Sequence, residues 1–119
     1  MKKKILIVDD DREIIESIRI ALEAAGYDVV VSFDGDQGLI MVNKEKPDLV
    51  ILDIMMPKRS GFLILETLRQ THFYPIRVIM ITANEGERHK AYAESLGVDG
   101  YIRKPFPIDV LLELVKRTL

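Results

Sequence analysis

A three-layer α/β domain on a doubly wound, five-stranded parallel sheet, strand order 2-1-3-4-5, is the fold this sequence predicts, and three observations predict it. Five short runs rich in β-branched residues, Ile5–Val8, Val29–Val31, Leu49–Leu52, Val78–Ile81 and Gly100–Ile102, alternate with five longer stretches of helical periodicity. The first, third and fourth runs are apolar almost throughout, as strands covered on both faces require. The connections are short, and with right-handed crossovers few topologies remain.

Each element has its own signal. Ile5–Val8 opens the sheet after Lys2, Lys3 and Lys4. Ile14, Ile15, Ile18, Leu22 and Ala25 then recur at helical spacing, with Asp11 placed to cap that helix ahead of Arg12 and Glu13, and Gly26 to end it. After Val29–Val31, the residues Leu39, Met41 and Val42 belong to a second helix that Pro47 closes off. That helix contains Gly38, which costs about 1 kcal/mol relative to Ala and has no reason visible in the sequence. Leu49–Leu52 runs into Asp53, and Leu63, Leu65 and Leu68 mark the third helix. Val78–Ile81 runs into Thr82 and Ala83. A weakly apolar fourth helix, Glu85 through Glu94, carries Ala91 and Ala93, with Leu96 and a terminating Gly97 beyond. Gly100–Ile102 leads to Lys104-Pro105, and Ile108, Leu111, Leu112, Val115 and Leu119 form the inward stripe of the last helix. Val110 and Leu114 lie off that stripe. They read equally as an apolar face for a partner or twin subunit and as part of a wide buried stripe.

The 119 residues fit one domain, 1–119, and 48% apolar residues supply a core. A net charge of −2 gives no electrostatic reason to expect nucleic-acid binding, and three lysines at one terminus do not change that. With no cysteine, disulfides and thiolate metal sites are excluded. No apolar run approaches the ~20 residues of a membrane span, and the N-terminus has no signal-peptide profile. A cytoplasmic protein without membrane association is expected.

In doubly wound folds the site lies at the carboxyl ends of the strands, near the switch point between strands 1 and 3. Those ends are chemically loaded here: Asp9, Asp10 and Asp11, then Asp53, then Thr82, then Lys104. Asp9, Asp10 and Asp53 in one partly dry pocket would repel one another, and a hard cation such as Mg²⁺ or Mn²⁺ relieves such repulsion. Taken alone, Asp9 and Asp10 read equally as solvated charges beside a helix cap. Asp53 shifts that balance, because it ends a wholly apolar strand where an unpaired carboxylate would be costly. Lys104 offers a cation to Asp53 or to anionic oxygens bound there. A cis bond to Pro105 would aim its side chain inward. Thr82 offers a hydroxyl to an oxyanion, although a Thr at a strand end is more often a turn residue.

These residues form an ordered set. Ile7-Val8-Asp9-Asp10-Asp11, Pro47 through Pro57 around Asp53, Gly61, Ile81-Thr82-Ala83 and Tyr101 through Phe106 together resemble the receiver domain of two-component response regulators, the CheY-like phosphoacceptor domains, over essentially the whole chain. The resemblance implies the flavodoxin-like receiver fold. It implies that Asp53 accepts a phosphoryl group from a phosphohistidine on a sensor histidine kinase or histidine phosphotransfer protein. It further implies that Asp10 ligates Mg²⁺ directly, Asp9 mainly through water, and that Asp53 and the Met55 carbonyl complete the set. Lys104 would contact the phosphoryl group, Thr82 would bind it in the active form, and Tyr101 would be the aromatic that changes rotamer. Such a domain is a switch, catalysing only its own phosphorylation and dephosphorylation. Its output would pass to a homodimer partner or downstream effector through the face of helix 4, strand 5 and helix 5. The Met55 side chain would cover the pocket and Asn84 would contact attacking water, both bearing on lifetime. His72 and His89 are expected at the surface, without a metal role.

Three rival readings meet contrary residues. A hydrolase with an Asp nucleophile, similar to haloacid dehalogenases, needs a second Asp two residues on, where this chain has Met55, and a cap domain. A flavodoxin-like cofactor binder needs a Ser/Thr/Gly-rich phosphate loop where Asp9, Asp10 and Asp11 stand. A receiver-like module that only binds partners would not need Asp9, Asp10, Asp53, Thr82 and Lys104 together.

Overall fold

The computed structural model describes residues 2–56, 59–71, 76–83 and 87–119. In chain order the elements are β1 (Lys4–Val8), α1 (Arg12–Ala24), β2 (Asp28–Ser32), α2 (Gly35–Glu45), β3 (Leu49–Asp53), α3 (Gly61–Thr71), β4 (Arg77–Thr82), α4 (Glu87–Ser95), β5 (Gly100–Arg103) and α5 (Ile108–Thr118). The five strands form one sheet in the order β2-β1-β3-β4-β5, all pairs parallel. This is the doubly wound arrangement that the sequence predicts.

Alternation along each strand divides the core in two. Leu6, Val8, Val50, Leu52, Val78 and Met80 face one layer with Val42 of α2, Ile64, Leu65 and Leu68 of α3, and Ala93 of α4. Ile5, Ile7, Leu49, Ile51, Ile79 and Ile81 face the other, with Ile15, Ile18 and Leu22 of α1 and Leu111 and Val115 of α5. Every residue of β3 is buried, so the continuous apolar run follows from two-sided coverage.

The predicted caps form. Asp11 accepts the Glu13 and Ile14 N–H groups at 3.0 and 3.2 Å, and Gly26 and Gly97 take φ of +98° and +80° just beyond α1 and α4. Gly38 gains a reason: a Cβ there would lie 3.0 and 3.2 Å from the two Val8 methyls, so the bare backbone lets α2 sit close on β1.

The helix faces are less as expected. On α3, Leu63 points to solvent, while Ile64, Leu65 and Leu68 keep the i, i+1, i+4 spacing of one buried face. Ala25 and Ala91 are exposed. On α5, Ile108 and Leu119 stand more than a third exposed at the helix ends, so the inward stripe is Leu111 and Val115, with Leu112 partly buried beside them. Leu114 leaves the apolar surface too. It packs onto Gly100, where a Cβ would be 3.2 Å from Leu114 Cδ1, so of the two off-stripe residues only Val110 remains outside, 47% exposed. His89 is half-buried, its ring edge-on to Phe62 at 5.5 Å, rather than free at the surface.

Gly61 joins the fold to the sheet end that matters most. A Cβ there would lie 2.3 Å from the Asp53 carbonyl oxygen and 2.8 Å from the Ile54 Cα, both backbone atoms that cannot turn aside. Gly61→Ala is therefore expected to lower the unfolding free energy by about 2–3 kcal/mol in urea denaturation, despite the better helix propensity of Ala. An unchanged midpoint would show that the β3–α3 junction can yield.

Candidate functional site

The topology brings four strand ends together at one edge of the sheet. β1 and β3 are direct neighbours, Val8 pairing with Leu52, and Asp9 and Asp53 follow those two residues. Asp53 in turn pairs with Ile81, one residue before Thr82, and Thr82 pairs with Arg103, one residue before Lys104.

Backbone N–H groups orient the carboxylates of Asp9 and Asp53. The Asp9 N–H donates to the Ser32 carbonyl at 3.2 Å, and Asp9 Oδ1 accepts the Asp11 N–H at 2.9 Å. Asp11 thus caps α1 and orients Asp9 as well. Asp9 is fully buried, Asp53 is 3% exposed, and Asp10 stands exposed at the mouth. One oxygen from each of the three lies within 4.8 Å of the others. The Lys104 Nζ is 3.1 Å from Asp9 Oδ2 and 3.7 Å from Asp53 Oδ1, and the Lys104 N–H donates to the Thr82 carbonyl at 2.7 Å. The Lys104–Pro105 bond is cis. The lysine thus pairs first with Asp9, a partner that its sequence position does not suggest.

Burial is the main force on Asp53. Loss of hydration pushes its carboxyl up to about 7; the Asp9 charge adds to the rise, and Lys104 and the Met55 N–H oppose it. That N–H donates to Asp53 Oδ1 at 3.4 Å, a long bond.

The donor set fits a small hard cation. Three carboxylates face one ammonium among the described residues, every candidate ligand is oxygen, and the buried Asp9 Oδ2 receives no hydrogen bond, only the ammonium's charge. Asp9, Asp10 and Asp53 would hold Mg²⁺ or Mn²⁺. Met55 lies at the rim with its side chain 63% exposed, so it stands in water rather than packed over the carboxylates. Thr82 is fully buried at the end of β4. Tyr101, on β5, packs its ring against the core layer of α3 and α4, and its hydroxyl oxygen is shielded from solvent. Pro57, His72, Asn84 and Glu85, singled out from the sequence, lie outside the described residues.

Comparison with known proteins agrees with this geometry. A family model described as the response regulator receiver domain matches residues 5–116. The alkaline phosphatase synthesis transcriptional regulatory protein PhoP of Bacillus subtilis is 43% identical over 107 residues, 89% of this chain and 44% of that protein. The regulatory protein VanRc of Enterococcus gallinarum is 39% identical over 112 residues, 93% of this chain and 48% of that one. The chain thus spans about half the length of these curated relatives. The crystal structure of a CheY-like response regulator receiver domain protein from Methanospirillum hungatei superposes with a TM-score of 0.92 at 32% identity, covering 98% of this chain and 93% of that one.

The raised Asp53 value sets a pH dependence. An acid held at about 7 in the folded protein and near 4 when unfolded stabilises the fold below pH 4, and that contribution is lost as pH rises through 7. In EDTA at pH 8, Asp53→Asn is expected to unfold at higher urea than wild type, by on the order of 2 kcal/mol, with the gap closing toward pH 4. A variant less stable than wild type at pH 8 would contradict the assigned cause.

Proposed function

Because the chain belongs to the response regulator receiver domain family, whose members signal through phosphoaspartate, we propose that Asp53 is its phosphoacceptor, served by Asp9, Asp10, Lys104 and Thr82. The observation that carries this is the buried Asp53 carboxylate at the end of β3, within 4.8 Å of Asp9 and Asp10 oxygens and 3.7 Å from an ammonium.

The chemistry follows from charge and position. An Asp53 oxygen attacks the phosphorus of a phosphohistidine, the P–N bond breaks toward the imidazole, and an acyl phosphate forms; attack by water later returns the carboxylate. The transferring group spreads charge over its oxygens, so the site's work is alignment and neutralisation. Lys104 presents its ammonium at the mouth of Asp53, placed to pair with a phosphoryl oxygen while keeping Asp9 charged. When bound, Mg²⁺ would supply further positive charge; Asp10, Asp53 and the Met55 carbonyl would hold it directly and Asp9 mainly through water. The Thr82 hydroxyl binds the phosphoryl oxygens in the active form, and Tyr101 answers by changing rotamer. The domain acts on no substrate but itself, catalysing only its own phosphorylation and dephosphorylation.

Response regulators work with histidine kinases and downstream effectors. For this chain the donor is a sensor histidine kinase or histidine phosphotransfer protein, and the output is a homodimer or effector contact on the face of α4, β5 and α5, where Val110 and Tyr92 are exposed. The whole span 1–119 acts as one receiver unit. The setting is the cytoplasm, the usual one for receiver domains; none of the described helices is long and apolar enough to cross a membrane.

Acetyl phosphate with Mg²⁺ is expected to add one phosphoryl group by intact-mass spectrometry, absent in Asp53→Asn; labelling that survives in the variant would refute the assignment. Lys104→Ala should still gain melting temperature with Mg²⁺ yet be labelled at least roughly tenfold more slowly. Asp10→Ala should lose most of the Mg²⁺-induced rise, and a wild-type response there would remove Asp10 from the ligand set.

A further inference from the structure

The loop that carries Met55 is held from a side that the phosphoacceptor chemistry does not involve. Of the connection from β3 to α3, residues 54–56 and 59–60 are described, and its root is closed. The Gly61 N–H donates to the Ile54 carbonyl at 2.9 Å, and the Gly61 backbone lies against the Asp53 carbonyl. Its far end leans on the start of α2. Arg59 Nε donates to Asp36 Oδ1 at 2.5 Å. Beneath that ion pair the backbone of Gly35 meets Arg59 directly: a Cβ on Gly35 would fall 2.7 Å from Arg59 Cβ and 2.9 Å from both the Arg59 carbonyl oxygen and Ile64 Cδ1. The next residue, Ser60, accepts the Leu63 N–H on its Oγ at 3.3 Å and so begins α3. Arg59 thus ties the α3 end of the loop to the start of α2.

We propose that Gly35 and Asp36, acting through Arg59, are positioning residues for the phosphoacceptor loop, setting the Met55 backbone against Asp53 and with it the affinity of the acidic pocket for Mg²⁺. The proposal rests on the phosphoacceptor reading. Its leverage comes from the Met55 N–H to Asp53 Oδ1 bond, which at 3.4 Å lies where a shift of a few tenths of an ångström makes or breaks it. Asp36 and Arg59 are each about half exposed, with side-chain exposures of 49 and 48%, so their pairing contributes little to global stability and can be cut without unfolding the chain.

Charge alone predicts a different pattern from positioning. Removing the Arg59 cation would strengthen cation binding at a distance and removing the Asp36 anion would weaken it. Loss of the loop's support weakens binding in both cases.

The test is isothermal titration calorimetry of Mg²⁺ with wild type, Asp36→Ala, Arg59→Ala and the double variant, with urea midpoints and acetyl phosphate labelling measured beside it. Each single change is expected to raise the Mg²⁺ dissociation constant roughly two- to fivefold, and the double variant to be no worse than either single. Opposite effects of the two single changes, additive losses, or losses that appear only in the urea midpoint would overturn the proposal. Wild-type protein labelled normally beside unaltered variants would overturn this inference alone. Wild-type protein that neither binds Mg²⁺ nor accepts a phosphoryl group would overturn the parent reading and this one with it.

Discussion

Two carboxylates, Asp9 and Asp53, are buried side by side around one ammonium, and much of the fold near the sheet's carboxyl edge exists to make that tolerable. Removing two like charges from water in one pocket is costly, and the protein offsets the cost only in part. Asp9 receives the Asp11 N–H and the nearer approach of Lys104; Asp53 receives a long Met55 N–H bond and the farther approach. The unequal shares have a consequence. Asp53 is pushed up to about 7, so near neutrality a proton competes for its carboxylate. A cation shared by the three acidic residues would favour the ionised form. Cation binding and ionisation of Asp53 are therefore two aspects of the same electrostatic deficit.

The sheet topology is what allows so tight a cluster from residues so far apart in sequence. β1 and β3 lie adjacent because the chain reverses its winding between them, so the residues after Val8 and Leu52 emerge together. β4 and β5 extend the same edge and deliver Thr82 and Lys104, tied by the Lys104 N–H on the Thr82 carbonyl. Because parallel register fixes strand ends relative to one another, the pocket's geometry is inherited from a core whose three central strands, β1, β3 and β4, are almost wholly buried. The positions of Gly38 and Gly61 show how closely the helices are drawn onto that frame.

The fold was legible because two-sided burial writes itself as uninterrupted apolar runs, and a run such as Leu49-Val50-Ile51-Leu52 that stops at a carboxylate marks a strand end worth inspecting. What stayed hidden depends on contacts between distant segments. Four consecutive apolar residues, Phe62 through Leu65, leave the buried face of α3 undetermined, and Leu63 in fact faces solvent. Leu114 turns inward only because Gly100, on a neighbouring strand, has no side chain. Lys104 was visible as a cation for the site, but its closer pairing with Asp9 follows from where β5 ends relative to β1. The Arg59–Asp36 contact has no local signal, since the sequence spacing does not link the loop to the first turn of α2.

How unevenly the helices are anchored bears on where a signal can leave. α1 buries Ile15, Ile18 and Leu22, and α5 buries Leu111 and Val115. On α4, Ala93 is the buried apolar residue among those described, supported by edge-on ring contacts of Phe62 with His89 and Tyr92 and by the Tyr92 hydroxyl on Glu66. A small side chain and partly exposed rings bury far less apolar surface than the isoleucine and leucine ladder of α1, so displacing α4 costs correspondingly less. A few hydrogen bonds gained or lost at the sheet's carboxyl edge are comparable in free energy to such a loosely held contact and much smaller than the packing of α1. A ligand shifts an equilibrium only by its differential affinity for the two states. Of α1, α4 and α5, α4 is thus the helix whose position the least free energy can change.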